Sequence, residues 1–207
     1  AYWTDGKQAR LFEHGDGRLM SVDAATGKID PAFGKDGQIA LKAGLSMPVE
    51  SIGSTSPPTV VGDVVVAQFI HSGTEAQKEA PPGIVRGYDV HTGKLLWTFH
   101  TVPQAGEFGN ETWKDGSWKY AGNTDIWTMM SADPELGYVY LPIGEATQDF
   151  YGGHRPGANL FATSLVALNA RTGRRVWHVQ ITHHGVWDYD PPAAPIRHDV
   201  VIQGKRI

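Results

Sequence analysis

A six-residue turn that recurs three times constrains this chain more than any other feature. Asp23-Ala24-Ala25-Thr26-Gly27-Lys28, Asp89-Val90-His91-Thr92-Gly93-Lys94 and Asn169-Ala170-Arg171-Thr172-Gly173-Arg174 share one pattern. Each follows an alternating apolar run, at residues 18–22, 84–88 and 164–168. An Asp or Asn that ends a strand can close a turn with its own side chain, and Thr-Gly supplies a position tolerant of positive φ. The chain then returns as an antiparallel strand. After the second and third copies a tryptophan stands four residues beyond the glycine, at Trp97 and Trp177. A large flat indole there can pack between neighbouring sheets. Pro31 holds that place in the first copy, so the first unit is expected to be irregular or interrupted.

Further strand signals complete the units. Residues 10–13 precede the first copy. Residues 59–61 and 64–69 flank a Gly62-Asp63 turn, and residues 127–130 and 138–141 flank Asp133-Pro134-Glu135-Leu136-Gly137. Each unit reads as about four antiparallel strands with one hairpin, the make-up of a propeller blade. No amphipathic helix longer than a turn or two is in view. The expected fold is all-β, with blades at about 1–45, 46–102 and 125–182 and a last segment at 183–207. The copies lie 66 and 80 residues apart, whereas a bare four-stranded blade needs about 40–50 residues. The excess is assigned to insertions at 72–82, 103–123 and 146–159, rich in Gly, Pro and polar residues. Such loops carry function or serve as crossovers and edge covers. Closed propellers have about 4–8 blades, so three units are expected to join the remainder of a longer propeller or to assemble with copies of themselves.

Composition removes several classes. A net charge of -4 with no dense Lys/Arg run leaves no electrostatic footprint for nucleic acid. No apolar stretch approaches the roughly 20 residues of a membrane-spanning helix. The absence of cysteine excludes disulfides, thiolate zinc sites and cysteine nucleophiles. The chain does not begin with Met, so residue 1 is expected to be a processing boundary.

The stretch His183-His184-Gly185-Val186-Trp187-Asp188-Tyr189-Asp190-Pro191-Pro192 concentrates the chemistry. It packs two imidazoles, two carboxylates and two large aromatics into eight residues before the Pro-Pro pair. One reading is a buried loop whose Asp side chains cap its own backbone; the other is a site. His183 and His184 are adjacent and would point to opposite faces of a strand, which suits joint metal binding poorly. One of them reads as a supporting group. His154-Arg155, in a Gly-rich loop, reads as a loop tie in preference to a substrate contact. A metal-dependent hydrolase built from His183, His184, Asp188 and Asp190 lacks a further spaced His/Asp set.

The Asp-x-x-Thr-Gly-Lys-x-x-x-Trp repeats resemble the tryptophan-docking blades of quinoprotein dehydrogenases, eight-bladed propellers that carry pyrroloquinoline quinone (PQQ). The segment from His183 to Asp190 is similar to the active-site segment of that family. Gly83-Ile84-Val85-Arg86-Gly87-Tyr88-Asp89-Val90 and Tyr151-Gly152-Gly153-His154-Arg155 resemble its membrane-associated glucose dehydrogenase branch. The likeness covers essentially the whole chain. It implies PQQ-dependent oxidation of a sugar or alcohol hydroxyl, glucose/polyol type favoured, with Asp188 as general base. Trp127 falls where the family stacks an indole under the quinone ring. Thr147 falls at a cofactor-contacting threonine, and Asp125 and Trp187 are placed near the same ring. Glu145 and Asp188 are the implied oxygen ligands of Ca²⁺ or Mg²⁺, although the alcohol-oxidising branch has Asn where this chain has Glu145. The implied partners are a small-molecule substrate and a quinone or cytochrome electron acceptor. The implied location is the periplasm, with any membrane association carried by a segment not in this chain. The family's cofactor-covering segment would precede Ala1 and its quinone-contacting Lys would follow Ile207. The 207 residues are therefore expected to hold about half of the site and to be inactive alone. A non-catalytic propeller scaffold that binds a protein partner is the alternative, against which the Trp187-Asp188 pair argues.

Overall fold

The computed structural model describes residues 1–45, 52–68, 77–81 and 83–206. Phe69, residues 72–76 and Pro82, which the sequence assigns to a strand end and to the first insertion, lie outside the described residues, as do residues 46–51 at the start of the second unit. The architecture is nearly all sheet. The first sheet holds β1 (Tyr2–Thr4), β2 (Ala9–Gly15), β3 (Arg18–Asp23) and β4 (Gln38–Ala40). The second holds β5 (Thr59–Val61), β6 (Val64–Gln68), β7 (Ile84–Asp89) and β8 (Leu95–His100). The third holds β9 (Ser131–Asp133), β10 (Tyr138–Ile143), β11 (Ser164–Asn169) and β12 (Arg175–Gln180). In each, strands follow chain order and pair antiparallel with their neighbours. A small hairpin of β13 (Val201–Ile202) and β14 (Lys205–Arg206) follows.

The three repeated turns share one set of bonds. Asp89 Oδ1 accepts from the Thr92 amide at 2.8 Å and the Thr92 hydroxyl at 2.7 Å, while the Gly93 amide donates to the Asp89 carbonyl at 2.9 Å. Asp23 serves Thr26 and Gly27 in the same way, and Asn169 serves Thr172 and Gly173. Gly27, Gly93 and Gly173 have φ of 69°, 71° and 69°, where a side chain would be strained. Asp89→Ala removes three bonds accepted by Oδ1, from the His91 and Thr92 amides and the Thr92 hydroxyl, that order the turn before it pairs with anything distant. It should lower the urea midpoint by the equivalent of about 1 kcal/mol; a midpoint unchanged from the parent would show that the turn is held by the sheets alone.

Packing between sheets follows from side-chain alternation along the strands. On β6, Val65 and Ala67 join Phe12, Leu19, Phe33 and Tyr88 in the core between the first and second sheets. Val64 and Val66 face the opposite way and join Trp97, Val139, Leu141, Val166 and Leu168 between the second and third. The middle sheet is thus covered on both faces, which is why β6 is buried along its whole length. Trp97 crosses that second interface. Its ring lies over the third sheet's turn, where a Cβ on Gly173 would come within 2.6 Å of it, and its Nε1 donates to the Ala170 carbonyl at 2.7 Å.

The first unit departs from this arrangement, in keeping with Pro31. Its link to the second turn is made without a tryptophan in Trp97's place: the Gly34 amide donates to the Thr92 carbonyl at 2.9 Å, Arg10 Nη1 donates to the Val90 and His91 carbonyls at 2.7 and 2.9 Å, and Phe33 is fully buried against Phe12 with ring centroids 5.4 Å apart. Trp177, the third-sheet counterpart of Trp97, is 38 % exposed, with Val176, Val179 and Ile181 also exposed along the same strand and just beyond it. The strand expected at residues 127–130 is not formed. This segment is irregular and the ladder begins at Ser131. The Trp127 carbonyl is taken by the hydroxyls of Thr55 and Ser56 from the loop before β5, so it is not available to a neighbouring strand.

Candidate functional site

The site is built where β10 runs out. Beyond Ile143 the chain continues as Gly144-Glu145-Ala146-Thr147 and pairs with residues 122–125 in an antiparallel extension of the third sheet. The Gly144 amide donates to the Asp125 carbonyl at 2.9 Å, the Thr124 amide to the Glu145 carbonyl at 2.8 Å, and the Thr147 amide to the Gly122 carbonyl at 3.1 Å. An Asn123–Ala146 bridge completes the register. The segments that precede β9 and follow β10 therefore meet edge to edge, with Asp125 on one side, Trp127 just beyond the paired residues, and Glu145 and Thr147 on the other side.

The segment that holds Asp188 lies across this ladder, and glycines let it approach. A Cβ on Gly185 would fall 1.6 Å from Glu145 Oε2, one on Gly144 2.7 Å from Asp190 Oδ2, and one on Gly152 2.4 Å from His184 Nε2. The segment is a series of bends rather than a strand. His184 has φ of 52°, and its Nδ1 lies 2.9 Å from the Gly157 carbonyl and 3.1 Å from Asn159 Oδ1. His183 is exposed. The two imidazoles are thus separated, with His184 bound to the 146–159 loop.

Asp190 joins the segment to the ladder. Its Oδ2 accepts from the Trp127 indole Nε1 at 2.7 Å, and its Oδ1 accepts from the Glu145 amide. Burial pushes the Asp190 carboxyl above its ordinary pKa. The indole and amide donors oppose that shift, and the nearby Asp188 and Glu145 carboxylates add to it. Asp188 is exposed, in a left-handed conformation with φ of 53°. Its neighbours Trp187 and Tyr189 are 68 % and 67 % exposed, so they do not enclose it within these residues.

The other residues singled out from sequence fall around the same point. Trp127 is partly exposed, and its ring edge is fixed by Asp190. Thr147 is buried, its Oγ1 accepting from the Gly122 amide at 3.0 Å. Asp125 is half-buried one bonded pair from Glu145. Glu145 is 3 % exposed. Its Oε1 accepts from the Ala146 amide at 2.9 Å and lies 3.5 Å from Arg155 Nη2, and its Oε2 accepts from the Thr163 hydroxyl at 2.8 Å. No group of three or more His, Asp or Glu residues is arranged to hold a metal ion among the described residues. Two residues are legible in the sequence only in part. Asp190 stands out there as one of two carboxylates in its segment, without its partner Trp127. Arg155, read as a loop tie, does bind the 146–159 loop, and mostly through backbone carbonyls, which leave no mark in a sequence.

The sequence matches a protein family described as "PQQ: Glucose/ethanol/alcohol dehydrogenase, beta-propeller domain" over residues 1–207. It is 39 % identical over 189 residues to quinoprotein glucose dehydrogenase A of Acinetobacter calcoaceticus, covering 89 % of this chain and 23 % of that protein. It is also 39 % identical to the glycerol dehydrogenase large subunit of Gluconobacter oxydans (strain 621H), covering 84 % of this chain and 23 % of the other. The chain spans about a quarter of the length of the curated relatives it matches. Among solved structures, the quinohemoprotein alcohol dehydrogenase ADHIIG from Pseudomonas putida HK5 superposes with a TM-score of 0.78 at 31 % identity, over 96 % of this chain and 29 % of that one.

Proposed function

The chain belongs to the PQQ glucose/ethanol/alcohol dehydrogenase β-propeller family, and from that premise we propose that it supplies one side of the active site of a PQQ-dependent dehydrogenase. The substrate proposed is a sugar or polyol hydroxyl. Among the relatives are a glucose dehydrogenase and a glycerol dehydrogenase subunit at equal identity, which supports the class without choosing within it.

What supports the reading is the Asp190 carboxylate, which ties the indole of Trp127 to the segment that carries Asp188. On this reading Trp127 is the aromatic platform, Asp188 is the base, and Asp190 bonds the indole to the segment that carries the base. PQQ, when bound, would supply the two-electron acceptor for the hydride that leaves the substrate carbon. Trp127 offers an indole face, and the Nε1 bond fixes the rotation of that ring. Thr147 uses one lone pair on the Gly122 amide and keeps its hydroxyl hydrogen to donate. Asp188, which is exposed, is the carboxylate proposed to take the hydroxyl proton. As a hard oxygen donor it also suits Ca²⁺ or Mg²⁺. Glu145 fits the cation poorly, since both of its oxygens already accept protein hydrogen bonds. The reading carries with it a quinone or cytochrome as final acceptor and a periplasmic location.

The test is a PQQ titration of the full-length polypeptide in Ca²⁺, followed by tryptophan fluorescence. Saturable quenching is expected, together with its loss in Trp127→Ala. Absence of quenching in the parent would remove the dehydrogenase reading and favour a propeller that serves as a protein-binding scaffold.

A further inference from the structure

Arg155 is fully buried, yet its guanidinium makes four hydrogen bonds beside the site. Its Nε donates to the Thr147 carbonyl at 2.9 Å and its Nη1 to Asn159 Oδ1 at 3.0 Å. Its Nη2 donates to the carbonyls of Gln148 at 3.0 Å and Gly185 at 2.7 Å. One guanidinium thus binds the end of the ladder, the 146–159 loop and the segment leading to Asp188. A charge withdrawn from water in this way needs an anion beside it. Burial lowers the Arg155 pKa, and the Glu145 and Asp149 carboxylates oppose that shift. Glu145 provides its oxygen 3.5 Å from Nη2, with a side chain as deeply buried as that of the arginine.

The same geometry accounts for the state of Glu145. Oε1 serves the Ala146 amide and faces Arg155, Oε2 serves the Thr163 hydroxyl, and the Gly185 backbone covers Oε2 so closely that no Cβ fits there. Calcium requires an oxygen at about 2.3–2.6 Å from the ion. Turning the carboxylate towards an ion would leave the guanidinium without its nearest anion.

We infer that Glu145 is the buried counter-ion of Arg155 and not a cation ligand, and that the pair is a latch positioning the catalytic segment. Asp188 stands between two pins on the same residue pair: Gly185 is held by Arg155, and Asp190 by the Glu145 amide. The consequence for Asp188 rests on the dehydrogenase reading; the latch itself does not.

The test uses the full-length polypeptide. Glu145→Gln is isosteric and keeps an acceptor oxygen. In the PQQ-reconstituted protein it should change the apparent Kd for Ca²⁺ by less than about tenfold, the lower end of what loss of even an outer group costs at a metal site. A larger loss would overturn the counter-ion assignment. Without cofactor, the urea midpoints of Glu145→Gln, Arg155→Met and the double variant should be non-additive, the double falling less than the two singles together. Additive losses would sink the latch. Arg155→Lys keeps the charge but not the fork, and should lower kcat by up to about 10²-fold with KM little changed. An unchanged kcat would remove the positioning role. If the Arg155→Met variants do not fold, the calcium arm on Glu145→Gln decides by itself. A parent that fails to bind PQQ overturns the functional reading instead, and the urea cycle still decides the latch.

Discussion

Asp188→Asn in the full-length, PQQ-loaded polypeptide should lower kcat by roughly 10²–10⁴-fold, the range a general base contributes. The substitution is clean at this position for two reasons. Asp188 sits at φ of 53°, a conformation that Asn tolerates nearly as well as Asp, whereas Ala would add strain. The side chain is also exposed, so its replacement should move folding stability by no more than about 0.5 kcal/mol. KM should change little, because removing a base withdraws an interaction realised in the transition state and leaves ground-state binding intact. The quenching of tryptophan by PQQ should likewise persist, since Trp127 is held by Asp190 and not by Asp188. A second role is separable in the same variant. If Asp188 also donates to the cation, half-maximal activity will require more calcium, and raising calcium will recover part of the loss. A base alone will leave the loss constant at every calcium concentration. A variant that keeps parental kcat would remove Asp188 from the chemistry and move attention to Asp190.

The parts of this fold that could be read from the sequence are those in which a side chain bonds its own backbone neighbourhood. Asp23, Asp89 and Asn169 close their turns on residues three or four positions away, so spacing alone reveals them. The strands on either side follow from alternation, and the interruption of the first unit follows from one proline in a tryptophan's place. Residues 127–130 mislead for the opposite reason. Trp-Thr-Met-Met suits a strand locally, but the Trp127 carbonyl is claimed by hydroxyls some 70 residues earlier in the chain, and tertiary bonding overrides propensity. The site divides in the same way. Asp188 and Trp127 stand out by residue type and family likeness. The link between them does not, because Asp190 meets Trp127 across 63 residues and Arg155 meets Gly185 across 30, the latter through a carbonyl that any residue possesses. Gly144, Gly152 and Gly185 look like ordinary loop glycines in sequence. Only the structure shows that each stands where a carboxylate or an imidazole leaves no room for a Cβ.

The largest effect on stability should come from Trp97→Ala, at about 3–5 kcal/mol in urea unfolding of the 207-residue chain. Three losses coincide there. The ring is 8 % exposed and fills the space between the second and third sheets. A Cβ on Gly87 would come within 2.2 Å of it on one side and a Cβ on Gly173 within 2.6 Å on the other, so the cavity left behind is walled by backbone that cannot collapse easily. The indole N–H also satisfies the buried Ala170 carbonyl, which alanine would leave without that donor. Trp177→Ala is the internal control, since it is the same residue at the same place in the repeat. Its ring is 38 % exposed and packs mainly on Tyr140 at 5.8 Å between centroids, so the cost should be about 1 kcal/mol. A wide gap between the two variants would show that the repeated tryptophan acts between sheets, through the turn of the sheet that follows its own. Equal losses would show instead that each tryptophan stabilises the hairpin it belongs to, and the second and third sheets would then be held together by the aliphatic contacts between them, the β6 valines among them.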